Sequence, residues 1–398
     1  MSSRFATLGR IPRGVWVLGG VSLLMDVSSE MIHSLLPLFM ATTLGASVIV
    51  IGLIEGLAEA TALIVKVFSG VLSDYLGKRK GLALLGYGLG AISKPFFAIA
   101  SSSGMVMSAR LLDRVGKGIR GAPRDALVAD VTPPEIRGAA FGLRQSLDTV
   151  GAFLGPLLAV GLMLLWHNDF RAIFWVATVP AALAIALLFF GLKEPTAAIT
   201  HKRTNPITRA NLRLLGRSYW WVVSIGAIFT LARFSEAFLV LKAQQGGTPL
   251  ALIPLVMVAM NLVYACSAYP FGKLSDRMSH EGLLKAELLV LIAADLVLAL
   301  SDHWSGVLFG VALWGGHMGM TQGLLAAMVA HTAPAHLRGT AFGMFNLISG
   351  VALLLASLGA GTLWELFGSA STFYAGALIC VVTLIGMQLA PFGARQGA

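Results

Sequence analysis

The chain has 398 residues, of which 57% are hydrophobic and 12% charged, with a formal net charge of +10. Soluble domains carry about a quarter charged residues, so a soluble enzyme or nucleic-acid module is excluded and a polytopic α-helical membrane protein is implied. Apolar runs of about twenty residues without alternation exclude a β-barrel.

Twelve spans are predicted, at roughly 14–40, 48–72, 81–100, 105–124, 138–166, 172–192, 219–241, 249–272, 283–300, 304–330, 339–363 and 370–390. The first has a basic lead (Arg4, Arg10, Arg13) but is too long and too polar for a cleaved leader, since it holds Asp26 and Glu30. Lys and Arg concentrate in alternate short loops, the positive-inside pattern. Twelve spans with both termini cytoplasmic put about twenty of the 29 basic residues on that side, with Arg171 and Lys242 outside. The longest connector is basic and divides the chain into residues 1–192, a linker over 193–217, and residues 218–398. Cys266 and Cys380 stand alone in apolar spans, so no disulfide framework or thiolate metal site is expected.

The first span aligns Asp26, Glu30 and His33 within an arc of about 60°. Each ionised carboxylate in a span is costly unless paired or wet. Asp26 and Glu30 are expected to pair with the basic residues of the fourth span, for proton coupling or cation binding, against the plainer alternative of a fixed ion-pair network with that span. Glu55, Glu59 and Lys66 share a face of the second span and read as interhelical contacts. Lys94 in the third span and Asp295 in the ninth read as isolated structural charges.

The fourth span carries Arg110, Asp113, Arg114, Lys117, Arg120 and Arg124 within an arc of about 120°. Arg110, Arg114 and Lys117 are expected on a wet cavity wall, where Arg suits bidentate contact with an anion. Arg120 and Arg124, near the cytoplasmic end, are expected to snorkel. Gly116, Gly118 and Gly121 satisfy a G-x-G-x-x-G pattern, but inside a membrane helix with no preceding strand. A nucleotide cofactor is therefore discarded, and close helix packing is the expected role. In the fifth span Arg144 and Asp148 are spaced to pair with each other.

The two halves repeat. Residues 128–142 match 329–343 at eight of fifteen positions, and Gly70–Asp74 matches Gly272–Asp276 at nearly the same offset. The tenth span lacks the stripe: Asp113, Arg114, Lys117, Arg120 and Arg124 correspond to Trp314, Gly315, Met318, Thr321 and Leu325. Scaffold is shared between the halves, whereas the charged stripe is confined to the first. In the second half Arg233 and Glu236 are expected on one helical face, as an internal pair or a substrate clamp. His317 and Gln322 face the position equivalent to the stripe.

These motifs resemble the major facilitator superfamily along the whole chain. GVLSDYLGKRK at Gly70–Lys80 is similar to its loop signature, with Tyr75 in place of a basic residue. The resemblance implies a cytoplasmic latch of Asp74, Lys78, Arg79 and Lys80, with Asp276 and Arg277 at the repeat. The run from Arg114 resembles a signature whose Arg is tied to proton coupling. Gly142, Gly151, Gly155 and Pro156 resemble the antiporter signature, though Ala159 and Val160 replace its closing glycines. Close helix contact and a kink at Pro156 explain that spacing.

The expected protein is not an enzyme. It is a monomeric, multi-pass inner-membrane transporter of all-α fold, with two pseudo-symmetric six-helix bundles. It exports a small ionic or zwitterionic organic solute in exchange for protons by alternating access, with lipid as its surroundings. Coupling is assigned to Asp26, Glu30 and Arg114. Substrate binding is assigned to His33, Arg110, Asp113, Lys117, Arg233, Glu236, His317 and Gln322. Two alternatives stay open: transport of a transition metal or metal-carboxylate chelate, with Asp26, Glu30 and His33 as ligands, and a non-transporting receptor or scaffold.

Overall fold

A bilayer leaves backbone N–H and C=O groups no water to bond, so each crossing must satisfy them within a helix. The computed structural model describes residues 11–76, 79–192, 212, 214–275, 278–321, 324–334 and 337–389. The first six helices are α1 (Arg13–His33), α2 (Val48–Leu76), α3 (Arg79–Ile99), α4 (Ser103–Asp130), α5 (Arg137–Leu165) and α6 (Phe170–Gly191). Beyond α1 the chain continues through Leu36–Leu38 and a π turn, Phe39–Thr43. The second six begin with α7, which runs Arg217–Ala232, breaks, and resumes over Ala237–Gln245. They continue as α8 (Leu255–Ser275), α9 (His280–Leu300), α10 (Trp304–Thr321, then Leu324–Thr332), α11 (Arg338–Phe367) and α12 (Ser369–Leu389).

Among the described residues nine helical segments are long and apolar enough to cross a membrane. The exceptions are α4 and α9, which carry too many charges, and α10, whose apolarity is diluted by glycines and His317. Polar caps start several helices. Ser102 accepts from the Met105 N–H, Asp169 from Ala172 and Ser279 from Gly282, each occupying an otherwise orphaned donor. Gly368, at φ +86°, links α11 to α12 in one residue, a conformation suited to glycine.

The packing repeats. In the first half α1 packs on α5 and α6, and α3 on α4 and α6. In the second, α7 packs on α11 and α12, and α9 on α10 and α12. The fold is thus all-α, with twelve helices in two pseudo-symmetric sets of six. By packing, one compact unit holds the chain up to Leu36 and from Thr61 through α6. The other holds Pro37–Ala60 with α7 to α12.

Candidate functional site

The charge cluster of the first unit is built by α1, α3 and α4, and Asp113 is its hub. Lys94 from α3 reaches the Asp113 carboxylate at 2.8 Å and donates to Ser29 Oγ of α1 at 3.0 Å. Lys94 is fully buried and Asp113 nearly so. Lys94 is therefore not the isolated charge its sequence position suggests. It is the ion-pair partner that lets a carboxylate exist inside the bundle.

His33 joins this pair to α1. Its Nδ1 lies 3.5 Å from Glu30 Oε1 and its Nε2 3.6 Å from Asp113 Oδ2. Arg110 Nη1 also hydrogen-bonds His33 Nε2. Arginine only donates, so Nε2 is the acceptor and the ring hydrogen sits on Nδ1, toward Glu30. A second proton on the ring would displace Arg110 and give Asp113 a donor. The imidazole can thus exchange one α4 partner for another on binding a proton.

Asp26 and Glu30 were expected to pair with the bases of α4. Among the described residues neither has an α4 base within salt-bridge distance. Glu30 turns to His33, and Asp26 is half-buried within electrostatic reach of Asp148, Arg120, Lys117 and Glu30. The carboxylate that α4's own stripe contributes, Asp113, takes the direct contacts instead. The stripe as a whole is less wet than expected. Arg110, Asp113, Arg114 and Arg120 are buried, and Lys117 is the exposed member.

Arg120 and Arg124 do not snorkel. Arg120 lies over the Tyr87 ring at 4.7 Å, a cation–π contact. Arg124 donates to Ser22 Oγ at 3.3 Å and to Asp125 at 3.1 Å, and sits 3.9 Å from Asp148. Arg144 meets Asp148 at 2.5 Å, the pair its spacing implied, and lies 3.8 Å from Asp125. Ser22 and the Tyr87 hydroxyl are 3.2 Å apart. This second network ties α1, α3, α4 and α5 together beside the first.

The glycines explain how α5 and α1 come close enough. A Cβ on Gly151 would stand 2.7 Å from the Leu23 carbonyl and 3.0 Å from Asp26 Cβ. One on Gly155 would stand 2.7 Å from Glu30 Cβ and 2.9 Å from the Val27 carbonyl. These two positions seat α5 against the backbone that carries Asp26 and Glu30. Pro156 lies within the same helix. Gly142 differs from the packing expectation: it is exposed and faces open space. In α4, Gly116 packs on the Gly86 carbonyl and Gly118 on Val65 of α2, whereas Gly121 makes no close approach. Those contacts account for two glycines of the nucleotide-like pattern.

The metal alternative does not fit. Among the described residues no group of three His, Cys, Asp or Glu converges on a metal position. A guanidinium already occupies His33 Nε2, and Asp26 does not join Glu30 and His33.

In the second unit Arg233 and Glu236 are not on one continuous helical face. The helix stops at Ala232, with Arg233 at φ −106° and ψ 76° and Glu236 preceding the next segment. The Ser235 N–H donates to Ser357 Oγ of α11 at 3.2 Å, and the Ala237 N–H to Ser235 Oγ at 3.2 Å. Arg233 lies over the Phe229 ring at 5.6 Å. His317 is fully buried, edge-on to Trp314 at 5.2 Å.

Of the latch residues, Arg79 pairs with Asp130 at the end of α4. Lys80 donates to the Phe189 carbonyl of α6 at 2.9 Å. The Asp74 side chain, Lys78, Asp276, Arg277 and Gln322 lie outside the described residues. Lys242, expected in an external loop, is buried in the second segment of α7, 3.4 Å from Ser369 Oγ.

Twelve helices in two repeated sets, with buried ionisable groups inside a helical bundle, match the internal-repeat architecture of multi-pass secondary transporters. The comparisons make the assignment specific. A family model described as Major Facilitator Superfamily matches residues 18–357. An uncharacterized MFS-type transporter of Methanocaldococcus jannaschii is 32% identical over 380 residues, covering 94% of each chain. The inner membrane transport protein YajR of Escherichia coli is 24% identical over 384 residues, covering 94% of this chain and 82% of its own. The crystal structure of a POT family transporter superposes with a TM-score of 0.80 over 96% of both chains, at 14% identity. The chain belongs to the Major Facilitator Superfamily.

Proposed function

We propose that this transporter is an inner-membrane, proton-coupled antiporter that exports a small ionic or zwitterionic solute by alternating access. The observation that carries the reading is the position of His33, held between Glu30 and Asp113 with Arg110 on its acceptor nitrogen. A proton on this imidazole turns it from the acceptor for Arg110 into a cation bridging two carboxylates. Glu30, until then a carboxylate facing a neutral N–H, is neutralised by the imidazolium, and a cationic group of the solute loses its partner. Proton and solute therefore compete at Glu30, as exchange requires.

Arg110, Lys117 and Arg114 supply the positive side of the site for an anionic group. Asp26 modulates it through the charges it shares with Glu30 and Lys117. Gly151 and Gly155, set against Asp26 and Glu30, let α1 and α5 move as a packed pair. A charge crossing the membrane gains about 2.3 kcal/mol per 100 mV, and each pH unit adds about 1.4 kcal/mol. Those amounts suffice to tilt a two-state equilibrium a few kcal/mol deep. The inner-membrane assignment follows YajR, a relative along most of its length.

The test is transport in proteoliposomes with a panel of radiolabelled organic acids, amines and amino acids. Wild-type protein should accumulate one of them against its gradient when a pH gradient is imposed. Glu30→Gln should abolish that accumulation by at least tenfold. Accumulation by Glu30→Gln equal to wild type would remove the exchange from this site.

A further inference from the structure

The second unit has its own buried carboxyls, on α9, and neither belongs to the cluster above. Glu287 and Asp295 are both completely buried. Their helix packs against α10 and α12. Around them stand Thr321 and the His317 carbonyl from α10, Cys380 from α12 and Arg233 from the break in α7.

The contacts of Glu287 are ones that a protonated carboxyl satisfies. Thr321 Oγ1 lies 2.8 Å from the His317 carbonyl and 2.5 Å from Glu287 Oε1. A carbonyl can only accept, and a hydroxyl owns one hydrogen. If the Thr321 hydrogen serves the carbonyl, the Glu287 contact is satisfied only when the carboxyl brings its own proton and donates to Thr321. Among the described residues Glu287 Oε2 has no partner, nor has either oxygen of Asp295. Asp295 sits in a notch left by glycine: a Cβ on Gly376 would stand 2.6 Å from its Oδ2 and 3.4 Å from the Ala232 carbonyl. An ionised carboxylate in such a place has nothing to balance it.

We propose that α9 carries a second proton-binding site, in which Glu287 and Asp295 are both held as carboxylic acids and the proton of Glu287 is the exchangeable one. Exchange falls to Glu287 because, among the described residues, it alone of the two has a polar side chain against it, Thr321 Oγ1 at 2.5 Å, with Arg233 within electrostatic reach. When Glu287 loses its proton, Arg233 becomes its counter-ion. Arg233 sits where α7 stops being helical, so loss of the proton draws on the break. Among the described residues no cation faces Asp295, which keeps its proton. The site stands whether or not the first-unit cluster is the coupling site.

The test is infrared spectroscopy of the purified wild-type protein in lipid, titrated from acid to alkaline pH without any solute. Two protonated-carboxyl C=O bands are expected from α9, one fading with pH and one constant. Glu287→Gln should remove the fading band, and Asp295→Asn the constant one. Glu30→Gln should leave both in place, which separates this site from the proposed coupling site. If Glu287→Gln does not fold, Glu287→Asp should shift the fading band while Asp295→Asn removes only the constant one. Absence of protonated-carboxyl bands, or bands unchanged in both α9 variants, would overturn the proposal.

Discussion

Asp113 and Lys94 form the contact on which the first unit's cluster depends. The pair is buried at 2.8 Å, with Ser29 as a further acceptor for the ammonium. Deleting one partner of a buried pair leaves the other uncompensated, at about 3–5 kcal/mol. Lys94→Met should therefore lower stability by about that amount in thermal unfolding of the detergent-solubilised protein. The double variant Lys94→Met with Asp113→Leu should recover most of the loss, because both charges are then gone. A double variant as unstable as the sum of its singles would mean that the two residues act separately.

The faces of the helices were legible in the sequence at this scale, and their partners were not. Periodicity placed Asp113 on the stripe and Asp26, Glu30 and His33 on one arc. It could not say that Lys94, nineteen residues before Asp113, would meet it across a helix interface. Glu287 escaped notice for a related reason. It follows Glu281 and Lys285 near the start of α9, where charges read as an ordinary helix end.

Among the elements, α5 and α7 show opposite sides of what sequence can reveal. The glycine spacing of α5 announced close contact, and Gly151 and Gly155 make it against α1. A large side chain there must push helices apart, so Gly155→Leu should destabilise by at least the 1–3 kcal/mol typical of overpacking. Gly142→Ala, in open space, should stay within about 0.5 kcal/mol of wild type. Thermal unfolding of both variants checks the contrast. Equal losses at the two positions would deny the packing account.

The break in α7 had no such announcement. No glycine or proline lies between Ala232 and Ala237; the break is stabilised from outside by the Ser357 hydroxyl of α11. Ser357→Ala should leave the Ser235 N–H without that acceptor and cost about 1–3 kcal/mol. Hydrogen exchange at Ser235 should rise accordingly. Exchange unchanged from wild type would show that another group holds the break.

For the molecule as a whole, the internal repeat was the strongest signal in the chain. It foretold two six-helix sets, and the helix pairings repeat as two-fold ancestry requires. The charged stripe breaks that symmetry. In the first unit, lysine, arginine, histidine and carboxylates compensate one another. In the second, two carboxyls on α9 lie among few counter-charges. The structure therefore distributes its ionisable groups into one compensated cluster and one nearly bare pair.

In the proposed cycle His33 passes between Arg110 and Asp113 as a proton comes and goes. Interior pH in proteoliposomes, recorded with a trapped fluorescent dye, tests it most directly. Addition of a transported solute from the panel should move protons in wild-type vesicles in the direction opposite to solute. His33→Gln, which keeps a hydrogen-bonding side chain but cannot take up the charge, should still exchange labelled for unlabelled solute while the proton signal disappears. A proton signal of wild-type size in His33→Gln would contradict the account.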